Sequence, residues 1–217
     1  MENVLEKVSR ALNKNNINAL LFQNKLAAVD YLKSVLKAGE TVTCGGSVTL
    51  AESGVYSLIS NGDYNFLDRT KLSGDKMETA AFYKNTLSAD SYFCSANAVT
   101  ENGEIVNVDG MGNRITASAF GPERVFMIVG KNKIVKDLEE AFLRIKKVAS
   151  PRNAVRLSLP TPCAKIGKCV SLLKSDKPGI TDGCDSPYRI CRDYLILGKQ
   201  NDTKRITVLL INEELGY

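Results

Sequence analysis

Histidine is absent from all 217 residues, which removes the usual proton shuttle, the usual base for a serine or cysteine nucleophile, and the commonest nitrogen ligand of metals. Ser-His-Asp and Cys-His catalysis are excluded with it. Any acid or base must be a carboxylate, lysine, tyrosine or cysteine, and a soft metal must be held by thiolates. Long apolar runs are also missing: the longest, near Val125–Val129 and Val208–Ile211, are strand-sized, far short of the roughly 18 residues of a membrane helix. Met1 to Ala11 alternates charges with Val4, Leu5 and Val8 and lacks the unbroken apolar centre of a secretion signal. No membrane association and a cytoplasmic location are therefore expected. No fixed-period repeat and no low-complexity linker divides the chain, so residues 1–217 are expected to form a single domain. A core of this size buries about 70% of the unfolded chain's surface without help from a metal or disulfide.

Lysine and arginine number 29 against 24 aspartates and glutamates, a net charge of +5. The basic residues are scattered, with no stripe interleaved with aromatics, so nucleic acid is not an expected partner. A mild preference for anionic metabolites fits the same charge.

Val4, Leu5, Val8 and Leu12 share one helical face, which predicts an N-terminal helix over Glu2 to Lys14, within residues 1–18, ended by Asn15-Asn16. Ala19–Phe22 reads as a strand. Asn24 caps a second helix through Lys37, with Gly39 in the left-handed position that ends helices. Thr41–Cys44, Tyr64–Leu67, Tyr92–Cys94 and Val125–Val129 read as further strands, and Val48–Ser53, Val55–Ser60 and Lys76–Leu87 as helices. Ala98–Thr100 and Ile105–Val108 flank an Asn102-Gly103 turn signal. A helix over Val135–Val148 is expected to close at Pro151, and Tyr194–Leu197 with Ile206–Ile211 to form a late hairpin. The alternation predicts an α/β fold, a mostly parallel sheet with helices on both faces and ligands bound beyond the carboxyl ends of its strands.

At such a carboxyl end stands Gly45-Gly46-Ser47, between a strand and a helix. Glycines let backbone N–H groups approach a ligand, and the helix start favours a phosphate or carboxylate; a plain tight turn is the alternative. Of six cysteines, Cys44 and Cys94 end apolar strands and read as small hydrophobes. The other four, Cys163-x5-Cys169-x14-Cys184-x6-Cys191, fall in a segment over residues 160–193 rich in Pro, Gly and Lys. Zinc or an iron–sulfur cluster would order such a segment, and Lys165, Lys168 and Arg189 would favour thiolates. Free thiols or disulfides are the alternatives.

Cys44-Gly45-Gly46-Ser47, Tyr64 through Arg69, Asn97 through Gly103, Asp109-Gly110-Met111-Gly112-Asn113-Arg114 and Gly121-Pro122-Glu123-Arg124 together resemble the LUD domain of lactate-utilization proteins B and C, from about Leu20 onward. The resemblance implies a fold similar to ribose-5-phosphate isomerase and the coenzyme A transferases. It marks Asn97, Asp109, Gly112, Asn113 and Arg114 as ligand-binding candidates beside Gly45, Gly46 and Ser47. Arg114 offers a bidentate fork and Asn113 an amide, unless the pair merely starts a helix; Asp68-Arg69 is either an internal ion pair or a clamp. Thr100-Glu101-Asn102-Gly103 resembles the Glu-Asn-Gly of coenzyme A transferases, which would make Glu101 a nucleophile or base, whereas the residues alone read as a hairpin turn. The cysteine tail resembles stand-alone LUD proteins with four cysteines, except that Val170 to Gly183 lengthens the gap between the second and third.

Two functions follow. One is a domain that binds a small anionic metabolite of organic-acid metabolism, with or without catalysis. The other is a redox or assembly partner holding zinc or a cluster through its four cysteines and docking on another protein or a second copy of itself.

Overall fold

A computed structural model describes residues 3–217. Helix α1 (Val4–Lys14), capped by Asn3, buries Leu5, Val8 and Leu12, while Val4 points outward at 41% exposure. The remainder of the predicted first turn lies outside the described residues. Strand β1 (Asn18–Phe22) leads to α2 (Lys25–Val35), whose first turn is capped by Asn24 through Ala27 N. The helix stops at Val35, two residues earlier than predicted. Gly39, at φ +75°, instead donates its N–H to Asp63 O in the turn before β2.

Then follow β2 (Thr41–Cys44), α3 (Val48–Glu52), α4 (Val55–Asn61), β3 (Asn65–Leu67), α5 (Lys76–Thr86) and β4 (Ser91–Cys94). The next elements are β5 (Ala98–Thr100), β6 (Ile105–Asp109), α6 (Asn113–Ala119), β7 (Arg124–Gly130), β8 (Ile134–Val135), α7 (Leu138–Arg144), α8 (Ser150–Arg156), α9 (Pro162–Ile166), β9 (Asp193–Leu197) and β10 (Ile206–Ile211). Six strands form one sheet in the order β1-β10-β7-β4-β2-β3, with every pair parallel. The predicted α/β class, a mostly parallel sheet with helices on both faces, is what the chain adopts.

Alternation along the central strands decides the two faces. Val125, Met127 and Val129 of β7 with Val208 and Leu210 of β10 pack beneath Val8 and Leu12 of α1. Phe126, Ile128, Leu209 and Ile211 meet Leu32 of α2, Leu50 of α3 and Ile59 of α4 on the other side. All six residues of β10 are buried, the continuous apolar pattern of a parallel strand covered twice.

A second sheet, β8-β5-β6-β9, joins β5 to β6 and β6 to β9 antiparallel and β5 to β8 parallel. Ala98, Val106 and Val108 turn one face of it toward Ala141, Phe142 and Ile145. The expected β9–β10 hairpin does not form, because the two strands belong to different sheets. β9 is a half-exposed edge strand beside β6, whereas the fully apolar β10 fits only the interior of the parallel sheet.

Pro151 does not close the helix before it either. A π turn over Ile145–Ala149 joins α7 to α8, and the proline sits in the first turn of α8. Proline lacks an N–H and clashes with the carbonyl four residues back; widening the turn there accommodates both defects. The four-cysteine segment contains α9, with α8 packed beside it, and a short 3₁₀ turn over Val170–Leu173, followed by chain without regular structure. Among the described residues no helix is long and apolar enough to cross a membrane.

Candidate functional site

The carboxyl ends of β2, β4 and β7 lie side by side in the parallel sheet. After β4 and after β7 the chain crosses directly into the second sheet, through residues 95–97 and 131–133. The crossings bring Ser95, Asn97 and Lys133 against the Gly46-Ser47 turn that follows β2, and together they line a narrow inner pocket. Outside it opens a cleft of about 210 Å³ walled by Gly46, Arg69, Asp109, Asn113, Arg114, Arg156 and Ile190. Gly46, Arg114, Asn153 and Arg156 border both compartments.

The three residues of the glycine turn play different parts. Gly45 N–H is already spent on Phe93 O at 3.0 Å, continuing the sheet ladder, so it does not face a ligand. Ser47 Oγ accepts from Leu50 N at 3.4 Å and caps α3. That helix has five residues, too few to supply a strong dipole, and the positive potential comes from side chains instead. A Cβ on Gly46 would lie 2.5 Å from Arg69 Nη2, and one on Gly45 would lie 2.6 Å from Tyr92 Oη and 2.9 Å from Arg114 Cδ. The paired glycines thus let two arginines cross the turn at van der Waals distance.

Arg114 is held from several directions. Asp109 Oδ2 accepts from Arg114 N (2.9 Å) and Ile115 N (3.3 Å) and lies 3.8 Å from Arg114 Nε, while its Oδ1 accepts from Gly110 N. Arg114 Nη2 donates to Val108 O (2.5 Å) and to Asn97 Oδ1 (3.5 Å). Asp109 and Asn97 therefore position the arginine. Gly112, at φ +76°, makes the left-handed turn into α6 and does not itself line the cleft; Asn113 does. Arg156 donates to Asn153 Oδ1 and Tyr217 Oη. Asp68 accepts from Thr70 instead of pairing with Arg69. Neither Arg69 nor Arg156 has a carboxylate within ion-pair distance among the described residues.

Sequence reasoning missed Lys133, Arg156 and Tyr217. Lys133 is 2% exposed, and its Nζ donates to Thr49 Oγ1 (2.7 Å) and Ser95 Oγ (2.9 Å). Burial first, then repulsion from Arg144 and Arg114, brings its pKa down to about 7. The available signal was a lysine three residues past a fully apolar strand, at the end where parallel sheets bind ligands.

Glu101 stands elsewhere. It occupies the β5–β6 turn, pairs with Lys7 Nζ at 2.6 Å, and donates its N–H to Val135 O. Four residues of extended chain, about 13 Å at the usual rise, separate it from Asn97, and it lines neither compartment. The structure does not bring it to the other candidates.

Cys163, Cys169, Cys184 and Cys191 converge despite the long third gap, and all four line a single apolar cavity with Ile145, Lys146, Ser150, Val170 and Tyr194. Each is a free thiol. Burial raises the Cys163 pKa, and Ser171 Oγ donates to Cys169 Sγ at 3.2 Å. The cation at this cavity is the buried Lys146, which reaches Asp182 O, whereas Lys165 and Lys168 are exposed. As placed, no three Cys, Asp or Glu side chains among the described residues lie close enough to hold one metal ion. Cys44 and Cys94 are apart from this group; burial pushes their thiols up to about 12 and about 11, which keeps them protonated.

The chain is similar over 96% of its length, and over 96% of the other's, to a DUF162 family protein from Deinococcus radiodurans, at 12% identity and a TM-score of 0.52. A likeness to ribose 5-phosphate isomerase A from Methanocaldococcus jannaschii has 16% identity over 82% of this chain and 80% of that one, with a TM-score of 0.35, too distant to bear an argument. Among curated proteins, none matches the chain. The LUD domain model matches residues 5–211, and the chain belongs to the LUD domain family.

Proposed function

We infer that the chain binds a small organic anion in the cleft beyond β2, β4 and β7. One observation carries this reading. Arg69, Arg114, Arg156 and Lys133 surround the Gly46 turn, and among the described residues the one carboxylate side chain on the cleft wall, Asp109, is already committed to four backbone amides. Such a surplus of positive charge over a pocket this small suits a carboxylate or phosphate held by forked guanidinium contacts. The family's association with lactate utilization directs the choice toward hydroxy and oxo acids.

A thermal-shift series with lactate, pyruvate, sugar phosphates and acyl-coenzyme A compounds tests it. A ligand at 100 times its Kd stabilises by about 2.7 kcal/mol, roughly 5–10 °C in Tm for a domain of this size. Absence of a shift with every anion ends the reading.

A second reading is favoured by the convergence of the four cysteines on one cavity. The segment holds zinc or an iron–sulfur cluster there, and loading draws the thiols inward from their present spacing. Four thiols without histidine suit either group. Metal analysis of anaerobically purified protein checks this: stoichiometric zinc or iron that falls in Cys163→Ser supports it, and only traces of both overturn it.

A further inference from the structure

Lys133 closes the floor of the inner pocket with an arrangement that a purely structural lysine does not need. Its Nζ donates to Thr49 Oγ1 and Ser95 Oγ. Each hydroxyl spends its own hydrogen on a backbone carbonyl, Thr49 on Leu215 O at 3.3 Å and Ser95 on Ile128 O at 2.5 Å, so toward the lysine both serve as acceptors. Two of the three positions on Nζ are thereby fixed. The third has no hydrogen-bond partner among the described residues, and the lysine borders the pocket shared with Ser47, Asn97 and Arg114.

Charge argues the same way. A buried ammonium normally ends on a carboxylate, because leaving it without one is costly. Among the described residues no carboxylate stands within ion-pair distance; Arg144 and Arg114 disfavour the charged form, and Glu52 favours it from farther away. The amine is held near its titration point, so a large fraction carries a lone pair at neutral pH, and that pair occupies the one uncommitted position. A lysine activated by burial beside other cations is a carbonyl nucleophile.

We propose that Lys133 condenses with the carbonyl of a small anionic aldehyde or ketone, a 2-oxo carboxylate above all, whose charged group rests on Arg114 and the Gly46-Ser47 turn. This rests on the anion-binding reading and names its substrate class. The lone pair of Nζ attacks the carbonyl carbon, the C–N bond forms, and the C=O π pair moves to oxygen. The oxygen leaves as water after taking two protons, one of them shed by the nitrogen. Amine plus carbonyl gives protonated imine plus water when the second proton comes from solvent, and no oxidant or reductant is required. The 2-oxo acid is preferred because Arg114 and Lys133 line the same narrow pocket, and in a 2-oxo acid the carboxylate is one bond from the carbonyl carbon. In a phosphorylated aldehyde the two groups are farther apart.

Trapping tests this on the full chain. Pyruvate, glyoxylate and glyceraldehyde 3-phosphate are each incubated with the protein and cyanoborohydride, which reduces an imine to a stable secondary amine, and the adduct is located by peptide mass mapping. The expected result is a saturable adduct on Lys133 with pyruvate or glyoxylate, at least about tenfold faster than on any exposed lysine, slowed by excess lactate, and lost in Lys133→Arg. Preferential trapping of glyceraldehyde 3-phosphate instead would keep the lysine chemistry and overturn the 2-oxo assignment. Modification of exposed lysines with Lys133 untouched, in protein whose Tm still rises with lactate, overturns the imine and leaves anion binding standing. If Lys133→Arg does not fold, the mapping of the unaltered chain decides by itself. Neither adduct nor shift overturns both.

Discussion

The two cavities adjoin, yet they are built in opposite ways. The cleft carries charged and amide side chains, and its walls are fixed by regular structure: strand ends supply the floor, and Asp109 and Asn97 hold Arg114 through hydrogen bonds. The cysteine cavity is apolar and three of its four thiols lie in, or at the edge of, chain without regular structure. They meet along shared segments. Ile190 faces the cleft and Cys191 the thiols, while α8 sends Ser150 to one side and Asn153 and Arg156 to the other. The fold itself prepares the first site, whereas the second is left largely to chain that no strand or helix holds.

The sharpest way to break this contrast is at Arg114. Arg114→Ala is expected to weaken anion binding by roughly 10- to 100-fold, the value of a charged hydrogen bond, with no effect on metal content; calorimetry and metal analysis together check both halves. Next, Gly45→Ala forces a methyl against the buried Tyr92 and Arg114, which should destabilise by about 1–3 kcal/mol. Cys163→Ser in metal-free protein should leave Tm nearly unchanged and lose only the stabilisation that added metal brings. Comparable losses in the metal-free form would mean the thiols pack the segment without a ligand.

Lys133 makes the cleft sensitive to pH with a defined sign. Its folded pKa, about 7, lies below its ordinary value of 10.5, so between those limits the unfolded chain binds more protons and stability rises with pH. The penalty is complete below about 7 and relieved toward 10. Lys133→Met should flatten that rise in a urea-melt series. The smallest effect is expected at Glu101→Gln, which removes a half-exposed pair with Lys7 worth about 0–1 kcal/mol and should alter neither anion affinity nor trapping. A large loss of either would restore Glu101 as a participant.

Which parts were legible in the sequence follows from how local each cause is. The parallel strands were readable because burial on both faces leaves continuous apolar runs, as in Val125–Val129, and Asn102-Gly103 announces its own turn. Strand partners were not: nothing within Tyr194–Leu197 or Ile206–Ile211 says that they join separate sheets. Pro151 misled because a π turn upstream, invisible in residue types, absorbs the proline. In the site, Gly46, Asn113 and Arg114 were found through their motif, but Arg69 was left between two roles and Lys133 and Arg156 were unseen. Their purpose arises only when three strand ends and α8 meet. The cysteines were found as a set, though their convergence across Val170–Gly183 depended on α9 and β9 placing the two ends.

The widened turn at Ile145–Ala149 has one more implication. A π turn spends about one residue more than an α turn on the same rotation, so excising a single residue there would restore ordinary helical winding and leave α8 nearly in its present orientation. Pro151 would then meet the carbonyl four residues back in a regular helix, a defect that costs about 3 kcal/mol. A one-residue deletion is thus expected to lower stability while Arg156 and Asn153 still face the cleft and Ser150 the thiols.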